Sequence, residues 1–278
     1  MSSLPEEIHE EIFLRLPVES ILTCKFVCKF WRDIISSPKF IKHHLNLNIQ
    51  KNSHDPKSIF TGFYFECIQY PVALGYTVRY APSCNGAFGM GDNRYERIQI
   101  LGSCNGLICL RISSVGRYMF YVWNPSTGEY KEIPGRQPLG FRVLSSFDWH
   151  PFSYGFGYDC ARDDYKFVRI GGNEIQVYTL GSDAWNNTRS TPYPNKGNNS
   201  NINGVTFNGA LHWLCSTRET STEVIVSFDI SSETISYMPL PIETMPGSVS
   251  RADGLGVSRD CLCLYVALPN DDFEIWVM

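Results

Sequence analysis

The chain has no long hydrophobic run and no excess of charge of either sign. Its longest apolar run has eight residues, from Cys261 to Leu268, whereas a membrane-spanning helix needs about 20. Lys and Arg number 24 against 28 Asp and Glu, and the pI is near 5.9. The basic excess that accompanies nucleic-acid or anionic-membrane binding is therefore absent. We expect neither nucleic acid nor membrane among the partners.

The first thirty residues do not have the pattern of a secretory signal. Glu6, Glu7, Glu10 and Glu11 stand where a signal peptide needs a basic start and an uninterrupted apolar run. We therefore expect an intracellular protein that is cytoplasmic, nuclear or both.

The ten cysteines form no CxxC ligand framework, so we expect buried, reduced thiols. His212, His150 and the His43-His44 pair have no Asp or Cys at ligand spacing, which predicts no metal and no cofactor. Residues 102 to 106 match G-x-C-x-G, but a nucleophile elbow needs a helix after it and the following Leu-Ile-Cys-Leu reads as a strand. We expect no catalytic residue. The rival interpretation, an enzyme with its site at a central channel of the fold, is weaker.

Residues 4 to 42 carry most of the functional information. Pro5 reads as a first helical position, so a helix is predicted to begin at Leu4-Pro5. Leu4, Ile8, Ile12 and Leu16 recur every four residues and Phe13 widens the stripe, which predicts one apolar face that must be buried. Pro17 ends this helix and can serve as the first position of the next.

A second apolar pattern follows in the same segment. Val27, Phe30, Trp31, Ile34 and Ile35 have the spacing of one helix face. Ser37-Pro38 then reads as an N-cap before a fresh helix that reaches about Leu45. About forty residues bury too little apolar surface for independent stability, so a partner is implied. The alternative is an amphipathic helical cap that packs on its own chain.

This segment resembles an F-box. The resemblance rests on Leu4-Pro5, Ile8, Ile12, the Leu16-Pro17 break, the step from Ser20 to Leu22 and the run from Val27 to Trp31. It implies docking to an Skp-type adaptor and, through it, to a cullin. The adaptor-binding residues that it implies are Leu4, Pro5, Ile8, Ile12, Leu16, Pro17, Leu22, Val27, Cys28 and Trp31.

Residues 48 to 57 are almost entirely polar and are predicted to be a linker between domains 1–47 and 58–278. From Ser58 onward the helical period disappears. Short aromatic or β-branched runs alternate with clusters of Gly, Asn, Asp, Ser and Pro, which predicts a β domain.

The β domain repeats one unit. Segments 123–130, 178–185 and 228–235 each have an aromatic residue, a polar turn and an apolar or aromatic residue seven positions later, so each is predicted to be a hairpin. Counting Trp276, the leading aromatics at 123, 178, 228 and 276 are 55, 50 and 48 residues apart, near the period of roughly 50 in kelch blades. The pairs Asn105-Gly106 and Asn208-Gly209 predict tight turns ahead of two of these hairpins. Together these features favour a β-propeller.

Residues 98 to 278 resemble the F-box-associated, kelch-like β domain of plant F-box proteins. The phrases that carry the resemblance include residues 102–109, 123–127, 155–159, 164–169, 208–213 and 275–278. With the helical segment, they predict an α+β protein in which a three-helix F-box precedes an all-β, kelch-like propeller.

The resemblance implies a substrate-recognition subunit of an SCF-type (Skp, cullin and F-box) ubiquitin ligase, which delivers a protein substrate for degradation. Propeller loops gather at the two faces, so Tyr95 and Tyr193, in the polar insertions 82–97 and 187–203, are candidate substrate-binding residues. The alternative is that these insertions have no function.

The fourth hairpin would place its apolar partner at position 283, beyond Met278. We therefore expect an incomplete last blade and a truncated chain. A truncated product would be a non-productive competitor for the adaptor, which is a second functional hypothesis.

Overall fold

The structure is a computed structural model of the 278-residue chain. It describes residues 4–51, 58–61, 65–69, 77–80, 97–114, 117–135, 152–171, 174–190, 203–216, 223–240, 251–258, 261–267 and 273–278. The chain divides into two compact units, Met1–Arg94 with Asn124–Glu129, and Tyr95–Trp123 with Tyr130–Met278.

The N-terminal segment forms four helices: α1 (Glu6–Leu14), α2 (Val18–Cys24), α3 (Lys29–Ser36) and α4 (Pro38–Lys51). Helices α1, α2 and α3 correspond to the three predicted helices, but α3 begins at Lys29, after Val27, which the pattern placed on that helix. The fourth runs to Lys51, past the predicted end near Leu45 and into the segment 48–57 that was predicted to be a linker. The boundary between the two predicted domains stays a prediction.

Both prolines lie one position earlier in their helices than predicted. The Pro5 carbonyl accepts the first helical bonds from Ile8 and His9, and the Pro17 carbonyl accepts from Ile21 at 3.1 Å. Each proline has an extended ψ, 152° and 156°, so it is the N-cap rather than the first helical residue. The Ser37 prediction is confirmed, because the backbone N–H of Phe40 donates to Ser37 Oγ at 3.2 Å.

A compact core holds the four helices together. Its buried side chains are Phe13, Leu14, Ile21, Ile34, Ile35 and Phe40. Phe13 occupies the centre, with Trp31 edge-on at 5.1 Å and Phe40 at 6.4 Å between ring centroids. Such edge-to-face aromatic pairs stabilise the core beyond the area that they bury.

Two details of the helical pattern differ from the prediction. The predicted apolar face of α1 is buried within the chain only in part: Phe13 lies in the helical core, whereas Leu4, Ile8 and Ile12 are 54, 44 and 47% exposed, and Leu14 is buried outside the predicted stripe. Val27 lies in the turn before α3 rather than on that helix, because Cys28 is the N-cap and its sulfur accepts from the Trp31 N–H. An apolar period predicts that one face of a helix is hydrophobic, but it does not predict whether the same chain or a partner protein covers that face.

The first unit also contains the sheet β1 (Ser58–Thr61), β2 (Phe65–Gln69) and β3 (Thr77–Tyr80). The second unit is all-β. Its strands are β4 (Arg97–Cys104), β5 (Leu107–Ser114), β6 (Arg117–Trp123), β7 (Tyr130–Ile133), β8 (Phe152–Asp159), β9 (Asp164–Gly171), β10 (Glu174–Thr179), β11 (Ala184–Ser190), β12 (Val205–Phe207), β13 (Ala210–Ser216), β14 (Glu223–Asp229), β15 (Ile235–Pro239), β16 (Arg251–Ser258), β17 (Cys261–Ala267) and β18 (Phe273–Val277).

These strands make four antiparallel sheets, each formed by consecutive strands: β4–β7 (sheet 1), β8–β11 (sheet 2), β12–β15 (sheet 3) and β16–β18 (sheet 4). One apolar cluster lies between sheets 1 and 2, a second between sheets 2 and 3, and a third between sheets 3 and 4. Successive meander sheets packed face to face in chain order form a propeller-like domain, which confirms the predicted fold class. The described strands make four blades, a number that the sequence left open.

The three predicted hairpins are confirmed at the register of individual residues. Trp123 pairs with Tyr130, Tyr178 with Trp185, and Phe228 with Ile235. The two Asn-Gly turns are also confirmed, because Asn105, Gly106, Asn208 and Gly209 have φ of 52°, 80°, 48° and 73°. Two successive residues in the left-handed region make the twist of the turn match that of the strands.

Three hairpin turns, those after β6, β8 and β14, share one hydrogen-bond pattern. The side-chain oxygens of Asn124, Asp159 and Asp229 each accept from the backbone N–H groups two and three residues further on. The residue four positions after each is left-handed: Gly128, Asp163 and Glu233, with φ of 76°, 56° and 57°. A short polar side chain thus starts each turn and a left-handed residue closes it.

Among the described residues, no helix is long and apolar enough to cross a membrane.

Candidate functional site

The exposed apolar side chains of the helical segment are the strongest candidate for a binding surface. Besides Leu4, Ile8 and Ile12 on α1, the turn between α2 and α3 exposes Phe26 and Val27. Scattered apolar residues on a surface are ordinary, but five exposed large apolar side chains within 24 residues of one small module are a strong candidate for a protein interface. We call these five residues the apolar patch.

The ten predicted adaptor-binding residues fall into two groups. Leu4, Pro5, Ile8, Ile12, Pro17, Val27 and Cys28 are exposed and available for contact, whereas Leu16, Leu22 and Trp31 are half-buried. Leu16 and Trp31 also pack against the core of the four helices. The structure brings all ten onto α1, α2, α3 and the breaks between them. Their role in binding stays a prediction.

The backbone of Leu16 also accepts a hydrogen bond from α4. The ring of His44 is buried, stacks on Phe40 at 5.9 Å, and its Nε2 donates to the Leu16 carbonyl oxygen at 3.1 Å. The Asn48 side-chain amide lies 3.0 Å from His44 Nδ1 and donates to the His44 carbonyl oxygen at 2.8 Å. This chain of bonds ties the break after α1 to α4. Changes at Leu16 therefore disturb the helical core as well as any docking surface.

Sequence reasoning did not select Phe26 or Phe30 as binding residues. Phe26 is 90% exposed, the largest exposed fraction among the large apolar side chains of the described residues. Phe30 is less exposed, 44%, and its ring packs edge-on against that of His9, with 5.3 Å between the ring centroids. Phe26 lies outside the helical period, which is why the pattern passed over it. The sequence feature that could have identified Phe26 is an aromatic residue between Lys25 and Val27 that lies on neither predicted apolar face.

In the β domain, Tyr95 and Tyr193 lie outside the described residues, as does the greater part of both predicted insertions. Their predicted part in substrate binding stays a prediction.

Two candidate groups of the β domain, Cys104 and His212, are described by the structure. Cys104 ends β4 and a strand follows its turn, so the nucleophile-elbow geometry is absent; burial raises the pKa of its thiol to about 11. Burial lowers the pKa of His212, and its Nε2 donates to the Phe207 carbonyl oxygen at 3.3 Å. Within the part of the chain that the structure describes, no group of His, Cys, Asp and Glu could hold a metal.

A buried ion network joins sheets 2 and 3. Lys166 Nζ lies 2.9 Å from Asp159 Oδ2 and 2.8 Å from Glu233 Oε1, and it donates to the Ile230 carbonyl oxygen at 2.7 Å. Arg162 Nη1 approaches the same carboxylate at 3.1 Å. Burial alone would raise the pKa of Asp159, but the bonds from Lys166, Ser231 and Arg162 outweigh it and hold that pKa well below its usual range.

Comparisons with known proteins agree with both halves of this description. Residues 1–43 match the F-box domain, and residues 84–278 match the F-box associated beta propeller domain. An F-box/kelch-repeat protein of Arabidopsis thaliana is 31% identical over 290 residues, which cover 99% of this chain and 75% of the relative.

Two further Arabidopsis thaliana proteins align with all or nearly all of this chain. The F-box protein CPR1 is 26% identical and the match covers all of this chain and 70% of CPR1. A putative F-box protein is 29% identical, with 99% of this chain and 71% of the relative covered. The chain belongs to the plant F-box proteins that carry an F-box-associated β-propeller domain.

Proposed function

We propose that the protein is the substrate-recognition subunit of an SCF-type ubiquitin ligase, in the cytoplasm, the nucleus or both. The helical segment binds an Skp-type adaptor and thereby a cullin, and the β-propeller binds a protein substrate for ubiquitination and degradation. The observation that carries the proposal is the apolar patch on a segment that matches the F-box domain. The protein acts by bringing two proteins together and contributes no catalytic residue.

The exposed fractions set the energy available for docking. Burying the exposed half of an isoleucine or leucine contributes about 1 kcal/mol, and the nearly bare ring of Phe26 contributes about 2 kcal/mol. Leu4, Ile8, Ile12 and Phe26 together offer about 5 kcal/mol before the cost of association. Association itself costs about 4 kcal/mol or more, so these four side chains alone do not give a stable complex. Hydrogen bonds and the half-buried Trp31 must contribute the rest of the binding free energy.

The test is binding of a recombinant plant Skp-type adaptor to the full chain with Ile8→Asp and Ile12→Asp together. Both side chains are half-exposed and do not belong to the helical core, so the fold should persist. Losing two aliphatic contacts of about 1 kcal/mol each weakens binding about 30-fold, and the buried charges weaken it further. Calorimetry or surface plasmon resonance gives the Kd.

The matched control is Ile41→Asp. Ile41 lies on α4, is 52% exposed and is not among the predicted docking residues. It should leave the adaptor Kd within about twofold of the unaltered chain. Equal loss in the control, or an unchanged Kd in the double variant, would refute docking through α1. Leu16→Ala with Pro17→Ala should also weaken binding, but part of that loss would come from the core.

The substrate side of the proposal needs a different experiment. The unaltered chain and the Ile8→Asp, Ile12→Asp variant are each expressed in plant cells under proteasome inhibition, and their bound proteins are identified by proximity labelling. Substrates should be labelled by both chains, whereas adaptor and cullin should be labelled only by the unaltered one. Proteins whose labelling needs an intact α1 are ligase components rather than substrates of the β-propeller.

A further inference from the structure

Two arginines are buried between sheets 1 and 2. Arg111 lies on β5 and is only 2% exposed, and its Nη2 donates to Gln99 Oε1 at 2.6 Å. The guanidinium lies over the ring of Tyr118, 5.0 Å from its centroid, and 6.0 Å from that of Tyr154. Aromatic faces attract a cation, but they do not accept all of its hydrogen bonds.

Arg169 approaches the same tyrosine from sheet 2. It is opposite Tyr154 in the pairing of β8 with β9 and is 6% exposed. Its guanidinium lies 4.8 Å from the Phe152 ring centroid, and its Nε donates to Gln176 Oε1 at 3.1 Å. Burial raises the pKa of Tyr154, while the positive charges of Arg111 and Arg169 and a hydrogen bond from Arg111 oppose that rise.

Among the described residues, no acidic group balances the positive charge of Arg111. Its Nε and Nη1 are buried without a hydrogen-bond partner, and no carboxylate of the described residues pairs with it. A buried ion without a counter-charge is strongly unfavourable. In the same domain, the buried cation Lys166 has two carboxylates within 3 Å. The fold therefore pairs one buried cation with acidic groups and gives Arg111 none among the described residues.

We propose that a small oxyanion, inorganic phosphate, binds between sheets 1 and 2 against the guanidinium of Arg111, with Arg169 as the second cation of the site. Phosphate accepts hydrogen bonds from several directions at once, which suits the unpaired Nε and Nη1 donors and the adjacent Tyr154 hydroxyl. The near-complete burial of both arginines favours a compact free ion over a chain-linked acidic group. The site is independent of adaptor docking and stabilises the packing of the first two blades.

The experiment is equilibrium dialysis of the full chain, freed of phosphate, against radiolabelled inorganic phosphate. We expect one saturable phosphate per chain and at least tenfold lower occupancy in Arg111→Gln at the same concentration. Chloride at equal ionic strength should not compete. Excess acetate distinguishes a general oxyanion site from a phosphate site, because only the former is displaced by a carboxylate. Arg15→Gln, at a highly exposed arginine on the helical segment, is the matched control and should bind as the unaltered chain does.

Thermal unfolding gives an independent measure. Phosphate at a hundredfold excess over its Kd should raise the midpoint of the unaltered chain by about 5 to 10 °C, and this rise should vanish in Arg111→Gln. Should Arg111→Gln fail to fold, Arg111→Lys, which keeps the charge but has fewer donors, should bind phosphate more weakly. Absence of saturable phosphate in the unaltered chain, or equal binding by Arg111→Gln, would overturn the proposal.

Discussion

Replacing Lys166 by methionine should destabilise the β domain by about 3 kcal/mol. Lys166 is 1% exposed and binds Asp159, which is fully buried, so its removal strands a carboxylate between sheets 2 and 3. Breaking a buried ion pair from one side costs about 3 to 5 kcal/mol. The lower end applies here because Arg162 Nη1 and two backbone N–H groups still serve Asp159.

The loss is measured by thermal unfolding followed by tryptophan fluorescence. For a domain of this size 1 kcal/mol corresponds to about 2 to 4 °C, so the midpoint should fall by about 6 to 12 °C. Adding Asp159→Asn to Lys166→Met should recover part of the loss, because the stranded charge is then removed.

The chain offers a matched control in Lys131→Met. Lys131 pairs with Asp183 at 3.5 Å, but both side chains are about half-exposed, so the pair contributes less than about 1 kcal/mol. Its midpoint should fall by no more than about 4 °C. If Lys166→Met lowered the midpoint no further than Lys131→Met, burial would not be what makes the Lys166 network strong, and the reasoning would fail.

Two more outcomes follow from the β domain. Gly155→Ala should destabilise it by about 1 to 3 kcal/mol in urea unfolding, because the new Cβ would lie 2.7 Å from Trp213 Cζ2 and 2.9 Å from Leu211 Cδ1; Gly135→Ala, with open space around it, should be nearly neutral. Acid should also unfold the domain. The folded-state pKa of Asp159 is depressed, so its contribution is complete above about 3.9, the ordinary Asp value, and is lost as the pH falls further. Stability measured from pH 6 to pH 2 should decline below about pH 4, and less steeply in Asp159→Asn.

The repeats of the β domain could be predicted from the sequence because their information is local. An Asn-Gly pair tolerates two positive φ values, and an Asx side chain bonds to backbone two and three residues away. Trp123 and Tyr130, seven positions apart, therefore pair in the fold as the sequence predicted. The helix breaks at Pro5 and Pro17 were predictable to within one residue for the same reason.

The sequence could not specify which apolar face of α1 packs inside the chain. The predicted stripe contains Leu4, Ile8, Ile12 and Phe13, yet of these the chain buries only Phe13 and leaves the other three about half-exposed. Leu14, outside the stripe, is buried. The pattern determines amphipathicity, whereas the angle between helices decides which residues lie inside. That exposed stripe is what a docking proposal needs.

The sequence by itself determined the module order, the blade period and the turns, since each depends on contacts within about ten residues or on a period along the chain. Only the tertiary structure decided where charge is buried. In a strand, Arg111 or Lys166 reads as a solvent-facing residue, because polar and apolar positions alternate when one face is wet. Packing between blades buries both faces, and a neighbouring sheet distant in sequence either supplies the counter-charge, as Asp159 and Glu233 supply it to Lys166, or leaves it unbalanced, as at Arg111.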